Sequence, residues 1–328
     1  MYKYKWDIET GGYLLTTNLA GVSKELRPVF YEELDLLEFD KLTWKYPKTD
    51  KPLMWAETRR YIYKGNLVAE AVGGGLFTKP TIKLHKDNLM IEPVNLDLMI
   101  KKNKPLMTGL VQNTVETIYE VYKNYKDINI DVIYVAFSGG KDSLVLLDLV
   151  QKALPHSEFK VIFSDTFMEI SDTYKTVEEV KKRFPTLEFY TAESHIKSED
   201  SWEMFGIPSR TLRWCCAVHK SAPSLLKLRE IVGKNNLQAL AFDGIRAEES
   251  NSRATYSIEG NSLKHTSQIN IHPMLEWSSA EVFLYLFQNL LLINNAYRYG
   301  SNRVGCLVCP MASGWKEYIT HKLYKNEV

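Results

Sequence analysis

Ser138-Gly139-Gly140-Lys141-Asp142-Ser143 brings two glycines, two hydroxyls, an ammonium and a carboxylate together in six residues. Glycines let a backbone approach a ligand closely and adopt positive φ. The turn's amides, the first free N–H groups of a following helix and the Lys141 ammonium suit one shared anion, a phosphate above all. Ser138 and Ser143 add hydroxyl donors. Two better-known phosphate loops are excluded by spacing. A Walker A loop needs glycine where Val135 stands, and Gly73-Gly74-Gly75 fails the dinucleotide fingerprint because Thr78 replaces its third glycine.

Three further groups bear chemistry. Ser164-Asp165-Thr166 and Asp243-Gly244-Ile245-Arg246 each follow an apolar run. Asp165 suits an adenine amino group or a ribose hydroxyl, and equally a turn or a helix N-cap. Arg246 and Arg253 stand seven residues apart in a polar stretch, as a solvated loop or as planar forks for phosphate or sulfate. Every cysteine lies in Arg213-Trp214-Cys215-Cys216 or Gly305-Cys306-Leu307-Val308-Cys309-Pro310. Four converging thiolates suit an iron–sulfur cluster or tetrahedral zinc. Adjacent cysteines are awkward for zinc, but His219 keeps a Cys3His zinc set open. Two unliganded pairs are the remaining reading.

These residues need elements to position them. Ile130 to Phe137 reads as a strand buried on both faces, and Leu144 to Val150 as a buried helix. Val111, Val115, Ile118 and Tyr122 form one helical face ahead of that strand. Further strands are expected at Phe159–Phe163, Leu187–Tyr190 and Leu240–Phe242, with a helix burying Tyr174, Val177 and Phe184 between the first two. Ser221 with Pro223 opens another helix, which Gly233 closes. Ser278 and Glu281 form a capping box before Val282–Leu292. This alternation predicts an α/β fold, a doubly wound, mostly parallel sheet with ligands at the strands' carboxyl ends. Residues 1–105 read as a smaller N-terminal α+β domain, Lys102–Pro105 as a linker, and residues 106–328 as the nucleotide-binding domain. Arg59–Tyr63 and Leu67–Val72 read as a hairpin. Its basic and aromatic side chains alternate as in single-strand binders, though an ordinary hairpin with exposed basic ends explains them equally well.

A chain of 328 residues has room for two domains. With 41 Lys and Arg against 40 Asp and Glu, the charge offers no argument for nucleic acid as the main partner. No apolar run is long enough for a membrane span and no signal-peptide core opens the chain, so a cytoplasmic location is expected. In that compartment cysteines serve more often as ligands or catalysts than as disulfides.

The SGGKDS loop after a strand resembles the PP-loop of the adenine-nucleotide α-hydrolase superfamily. The chain also matches the sulfonucleotide reductases' G-x-R-x-x-[DE]-S-x-x-R run at Gly244, Arg246, Glu249, Ser250 and Arg253. Its CC…C-x-x-C arrangement is similar to the one that holds a [4Fe–4S] cluster in adenylyl-sulfate reductases. Together these motifs, over residues 108 to 315, resemble the phosphoadenosine phosphosulfate (PAPS) reductase family, including the iron–sulfur PP-loop component of DNA phosphorothioation systems. The resemblance implies an enzyme that binds ATP with Mg²⁺ and activates an acceptor oxygen for sulfur transfer, releasing pyrophosphate. Nucleotide contacts fall to Ser138, Gly139, Gly140, Lys141, Asp142, Ser143, Asp165, Thr166, Asp243 and Gly244. Lys141, Arg246 and Arg253 would offset charge at the α-phosphorus. Asp142 would orient Mg²⁺ or cap the helix, and Cys215, Cys216, Cys306 and Cys309 would hold the cluster. A sulfur-donor or thiol-carrier protein is an implied partner. Reductases of the family carry a further nucleophilic cysteine after the C-x-x-C, and none follows Cys309. Reduction of adenylyl sulfate is therefore the alternative, and a nucleotide-sensing regulator on the same fold is the third reading.

Overall fold

The computed structural model describes residues 1–19, 25–261 and 267–327. A hairpin of β1 (Tyr2–Asp7) and β2 (Gly12–Leu19) is followed by β3 (Leu26–Val29), α1 (Tyr31–Leu36), β4 (Met54–Glu57), β5 (Arg60–Tyr63), β6 (Asn66–Val72) and β7 (Thr81–Leu84). Strands β3 to β7 form an antiparallel sheet in sequence order. The expected hairpin is β5–β6. Its loop is Lys64-Gly65, with φ of 47° and 83°, the two positive values that a tight two-residue turn needs. Beneath this sheet Arg27 and Glu33 form a buried ion pair, which the Tyr61 hydroxyl joins at 2.7 Å.

The chain continues through α2 (Leu96–Lys126), β8 (Val132–Phe137), α3 (Lys141–Ala153), β9 (Lys160–Asp165), α4 (Ser171–Arg183), β10 (Phe189–Glu193) and α5 (Ser198–Phe205). A one-turn α6 (Trp214–Cys216) runs through a π-helical turn, Ala217–Ser221, into α7 (Ala222–Val232), with Gly233 as its left-handed cap. Then come β11 (Ala239–Phe242), β12 (Glu259–Asn261), β13 (Gln268–Ile271), α8 (Ser279–Gln288), α9 (Asn295–Arg298) and α10 (Gly314–Tyr324). The capping box before α8 is present, with Ser278 Oγ accepting from Glu281 N at 3.2 Å.

The second sheet has the order β10-β9-β8-β11-β13-β12, parallel except for β12. Strand side chains alternate between faces, and both faces are covered. Ile133, Val135 and Phe137 pack with the buried side of α3 and α8, whereas Val132 and Tyr134 pack with Leu228 of α7. The chain leaves β8 towards β9 on one side and finds β11 on the other. The turns after β8 and β11 therefore meet at the topological switch point, where such sheets bind ligands. Among the described residues no helix is long and apolar enough to cross a membrane.

The expected linker at Lys102–Pro105 is a correction, because these residues lie inside the 31-residue α2 with Pro105 in its interior. The polar run misleads because Asn103 is buried. Its Oδ1 accepts from Leu15 N at 2.7 Å, and its Nδ2 donates to Tyr13 O and Met99 O, so the helix borders β2 through one amide. The two parts of the chain also share cores. Tyr13 and Trp55 join the core of the parallel sheet, while Trp315 and Ile319 of α10 join that of the antiparallel sheet. Asn103→Ala strands buried backbone groups of β2 and is expected to lower stability by about 1–3 kcal/mol in urea unfolding; a surface linker residue would give no change.

Candidate functional site

Gly139 takes φ +70°, and a Cβ there would come within 2.9 Å of the Thr173 methyl, so the turn after β8 demands glycine. The Ser143 hydroxyl holds this turn closed, donating to Gly140 O at 3.0 Å and accepting from Ser138 N at 3.2 Å; it also bonds the Ser138 hydroxyl. Gly244, after β11, lies against the start of α3. A Cβ there would stand 3.0 Å from the Asp142 carbonyl carbon and 3.1 Å from Ser143 N. A cavity of about 500 Å³ opens over these turns, lined in part by Ser138, Gly140, Asp142, Ser143, Asp243, Gly244 and Arg253.

Lys141 and Arg246 are not among the residues lining this cavity. Lys141 is buried, its ammonium 2.8 Å from Asp142 Oδ2 and donating to Asn302 O, with the Tyr297 ring beneath it. Arg246 is buried too, its Nε 2.6 Å from Asp142 Oδ1 and its Nη1 shared between Glu248 and Trp277 O. Glu248 in turn accepts from Ser279 N at the start of α8. Burial alone would raise the Asp142 carboxyl, but Arg246 and Lys141 pull it down to about 2. Both Asp142 oxygens are thus engaged by cations, and its side chain does not cap α3. The Tyr297 hydroxyl instead accepts from Lys141 N at 3.0 Å, taking one amide expected to face an anion.

The remaining sequence-selected residues divide. Asp165 forms the turn: its Oδ1 accepts from Phe167 N at 2.8 Å and from the Tyr174 hydroxyl at 2.7 Å. Thr166 lines a second cavity, of about 370 Å³, together with Cys215, Cys216, Cys306 and Cys309. All four thiols are free of disulfides. A set of four thiols on one cavity fits a soft metal centre in its chemistry. Among the described residues, however, no three His, Cys, Asp or Glu side chains are grouped closely enough to hold an ion. The Cys3His set is corrected. His219 is fully buried, its Nε2 2.9 Å from Ser201 Oγ, and it does not line the thiol cavity.

Lys220, Glu249, Arg303 and Val304 line both cavities and so form a shared wall. Glu249 pairs with Arg253 and, at 3.4 Å, with Arg303. The Lys220 ammonium is 3.1 Å from Glu169, which also accepts from Thr166 Oγ1 at 3.1 Å and faces Cys306 Sγ at 3.5 Å. Burial, reinforced by Glu169, pushes the Cys306 thiol up to about 11. Sequence reasoning missed Lys220, Glu169, Tyr297, Arg303 and Lys316, the last a thiol-cavity residue from α10. Only Lys220 carried a signal, since its i+4 spacing from Cys216 puts it on the cysteine face of a helix.

The phosphoadenosine phosphosulfate reductase domain model matches residues 132–312. An uncharacterised protein of Methanocaldococcus jannaschii is 35% identical over 218 residues, 65% of this chain and 42% of that protein, so the chain spans under half of that relative. Adenosine 5′-phosphosulfate reductase of Bacillus cytotoxicus is 28% identical over 192 residues, 58% of this chain and 77% of its own. Among solved structures, phosphoadenylyl-sulfate reductase of Candida auris aligns with a TM-score of 0.43 at 22% identity, covering 61% of this chain and 93% of that one.

Asp142→Asn leaves Lys141 buried without its counter-charge and Arg246 with Glu248 alone, an expected loss of about 3–5 kcal/mol in chemical unfolding. In the unaltered protein the Asp142 carboxyl lies below its ordinary 3.8 when folded. Its stabilising contribution is therefore complete above about pH 4 and is lost as pH falls towards 2. Unfolding titrations of the two proteins should converge over that window, and a constant difference would contradict the assignment.

Proposed function

Because the chain belongs to the phosphoadenosine phosphosulfate reductase domain family, we propose that it binds an adenine nucleotide over the Ser138–Ser143 turn and uses it for sulfur transfer to an acceptor at the adjoining thiol cavity. One observation carries this reading: the switch-point cavity and the four-cysteine cavity share the wall of Lys220, Glu249, Arg303 and Val304. Nucleotide and sulfur chemistry would then occur side by side.

ATP is the substrate of the leading reading. Its phosphates, carried with Mg²⁺, lie against the Ser138 and Ser143 hydroxyls and the first turn of α3. Arg253 and Arg303 exchange Glu249 for phosphoryl oxygens, and Lys220 stands at the thiol side. An acceptor oxygen attacks the α-phosphorus and pyrophosphate leaves, with charge offset by these cations. Lys141 and Arg246 act on the reaction indirectly, by holding Asp142 and with it the turn. Asp243 and Gly244 form the opposite edge of the nucleotide cavity. Cys215, Cys216, Cys306 and Cys309 would hold a [4Fe–4S] cluster, or zinc in the alternative. A cluster bound there supplies a store of electrons or a site for sulfur. A sulfur-donor or thiol-carrier protein completes the scheme.

The second reading, reduction of adenylyl sulfate, is favoured by relatives that carry that activity in their names, including the Bacillus cytotoxicus protein. It requires a nucleophilic thiol beyond the four on the cavity. Anaerobic protein assayed for iron and labile sulfide, then offered ATP or adenylyl sulfate, separates the two: pyrophosphate release supports the first, sulfite release the second. Neither product, with and without a thiol donor, would sink both. Gly244→Ala, which displaces the start of α3, is expected to weaken nucleotide binding on the order of tenfold, ~1.4 kcal/mol, by calorimetry. Arg253→Met should lower turnover while leaving the unfolding midpoint unchanged.

A further inference from the structure

The basic side chains of Arg59-Arg60-Tyr61-Ile62-Tyr63-Lys64 have different fates in the fold. Arg60 pairs with Glu57 at 3.6 Å and Glu70 at 3.1 Å, and Lys64 pairs with Glu92 at 2.7 Å. Arg59 donates to Gly73 O at 2.7 Å, and among the described residues it has no carboxylate partner. It lines a third cavity of about 460 Å³, between the antiparallel sheet and the start of α10. From the sheet side come Arg59, Thr58 and Gly73; from the other come Asn302 and Ser313, and both of these also line the thiol cavity. The sheet-side cavity therefore adjoins the thiol cavity across Asn302 and Ser313, as the thiol cavity adjoins the nucleotide cavity across its own shared wall.

The chemistry of this third space is that of donors. Its lining includes the Arg59 guanidinium and the Ser313 hydroxyl; of the other polar side chains there, Thr58 Oγ1 already donates to Glu57 O at 2.6 Å, Asn302 Nδ2 donates to Glu25 at 3.4 Å, and the Arg27 guanidinium is neutralised by Glu33 at 2.5 Å. A planar fork beside a hydroxyl suits a tetrahedral oxyanion. The seam is also closely built, since a Cβ on Gly314 would stand 2.6 Å from Gly74 O. On the inner side, Lys316 of α10 carries a second cation into the thiol cavity.

We propose that this third cavity binds a phosphate group of the acceptor substrate, with Arg59 as its anchor and the reactive end reaching past Asn302 and Ser313 to the thiols. The assignment rests on the sulfur-transfer reading above and names its acceptor class as phosphate-bearing. It gives the N-terminal sheet a part in substrate choice.

The test is a calorimetric titration of the full chain with inorganic phosphate, and separately with acetate, while a non-hydrolysable ATP analogue saturates the nucleotide cavity. Phosphate should bind more tightly than acetate. Arg59→Met, which keeps the stem, should weaken phosphate roughly tenfold or more, as loss of a charge-assisted hydrogen bond does. Arg59→Lys should retain part of the affinity, and neither variant should alter binding of the analogue. Equal phosphate affinity in Arg59→Met, or acetate binding as well as phosphate, overturns the proposal. If the analogue itself fails to bind, the nucleotide reading falls, and the Arg59 dependence of phosphate binding without it still decides the third cavity.

Discussion

A buried cluster of charge is the constraint on which the site depends. Asp142 lies between Lys141 and Arg246, and Arg246 reaches on to Glu248, which accepts from the first turn of α8. Three segments distant in sequence, the turn after β8, the loop after β11 and α8, are thereby joined by ionic hydrogen bonds that run from Asp142 at the cavity wall to buried Lys141, Arg246 and Glu248. Removing one partner from such a cluster leaves an uncompensated charge, so its members hold one another in place. Gly244 makes the arrangement possible, since any side chain there would collide with backbone at the start of α3.

This shifts the roles of the most conspicuous basic residues. Lys141 stands in the glycine-rich turn and Arg246 follows the Asp-Gly pair, positions that suggest direct phosphate contact. In the fold their charges are directed inward, and the cations at the cavity are Arg253, Arg303 and Lys220. Each of these three is paired with a carboxylate, Glu249 or Glu169. An anion entering the cavity would exchange with those carboxylates instead of meeting bare charge. The exchange links the two cavities, because Glu249 and Lys220 belong to their shared wall.

The N-terminal part of the chain, hairpin and antiparallel sheet alike, and the parallel-sheet part are bound by more than contact at a surface. Tyr13 donates to Ala280 O at 2.7 Å, Glu281 accepts from Tyr2 N at 2.6 Å, and α10 returns from the far end of the chain to fill the N-terminal core with Trp315 and Ile319. Such interleaving positions the Gly73–Gly75 turn beside Ser313 and Gly314, next to the thiol cavity. The accessory part of the chain thus sits where it bears on the site.

Local pattern was enough for four strands of the parallel sheet, β8 to β11, though not for β12 and β13, and for the switch-point turn, the capping box before α8 and the tight β5–β6 hairpin. In each, neighbouring residues dictate backbone conformation: β-branched runs, glycines at positive φ, a Ser and Glu at capping distance. The same reasoning failed at Lys102–Pro105, where a polar composition concealed Asn103, whose amide finds its partners on β2 about ninety positions away. Pattern likewise named four cysteines without showing that they share one cavity, and it offered His219 as a ligand when Ser201 and burial hold that ring elsewhere. The direction in which Lys141, Asp142 and Arg246 point was decided only by tertiary structure. A charged side chain in a turn can face a ligand or a buried counter-charge, and the choice depends on groups that the fold brings from far along the chain.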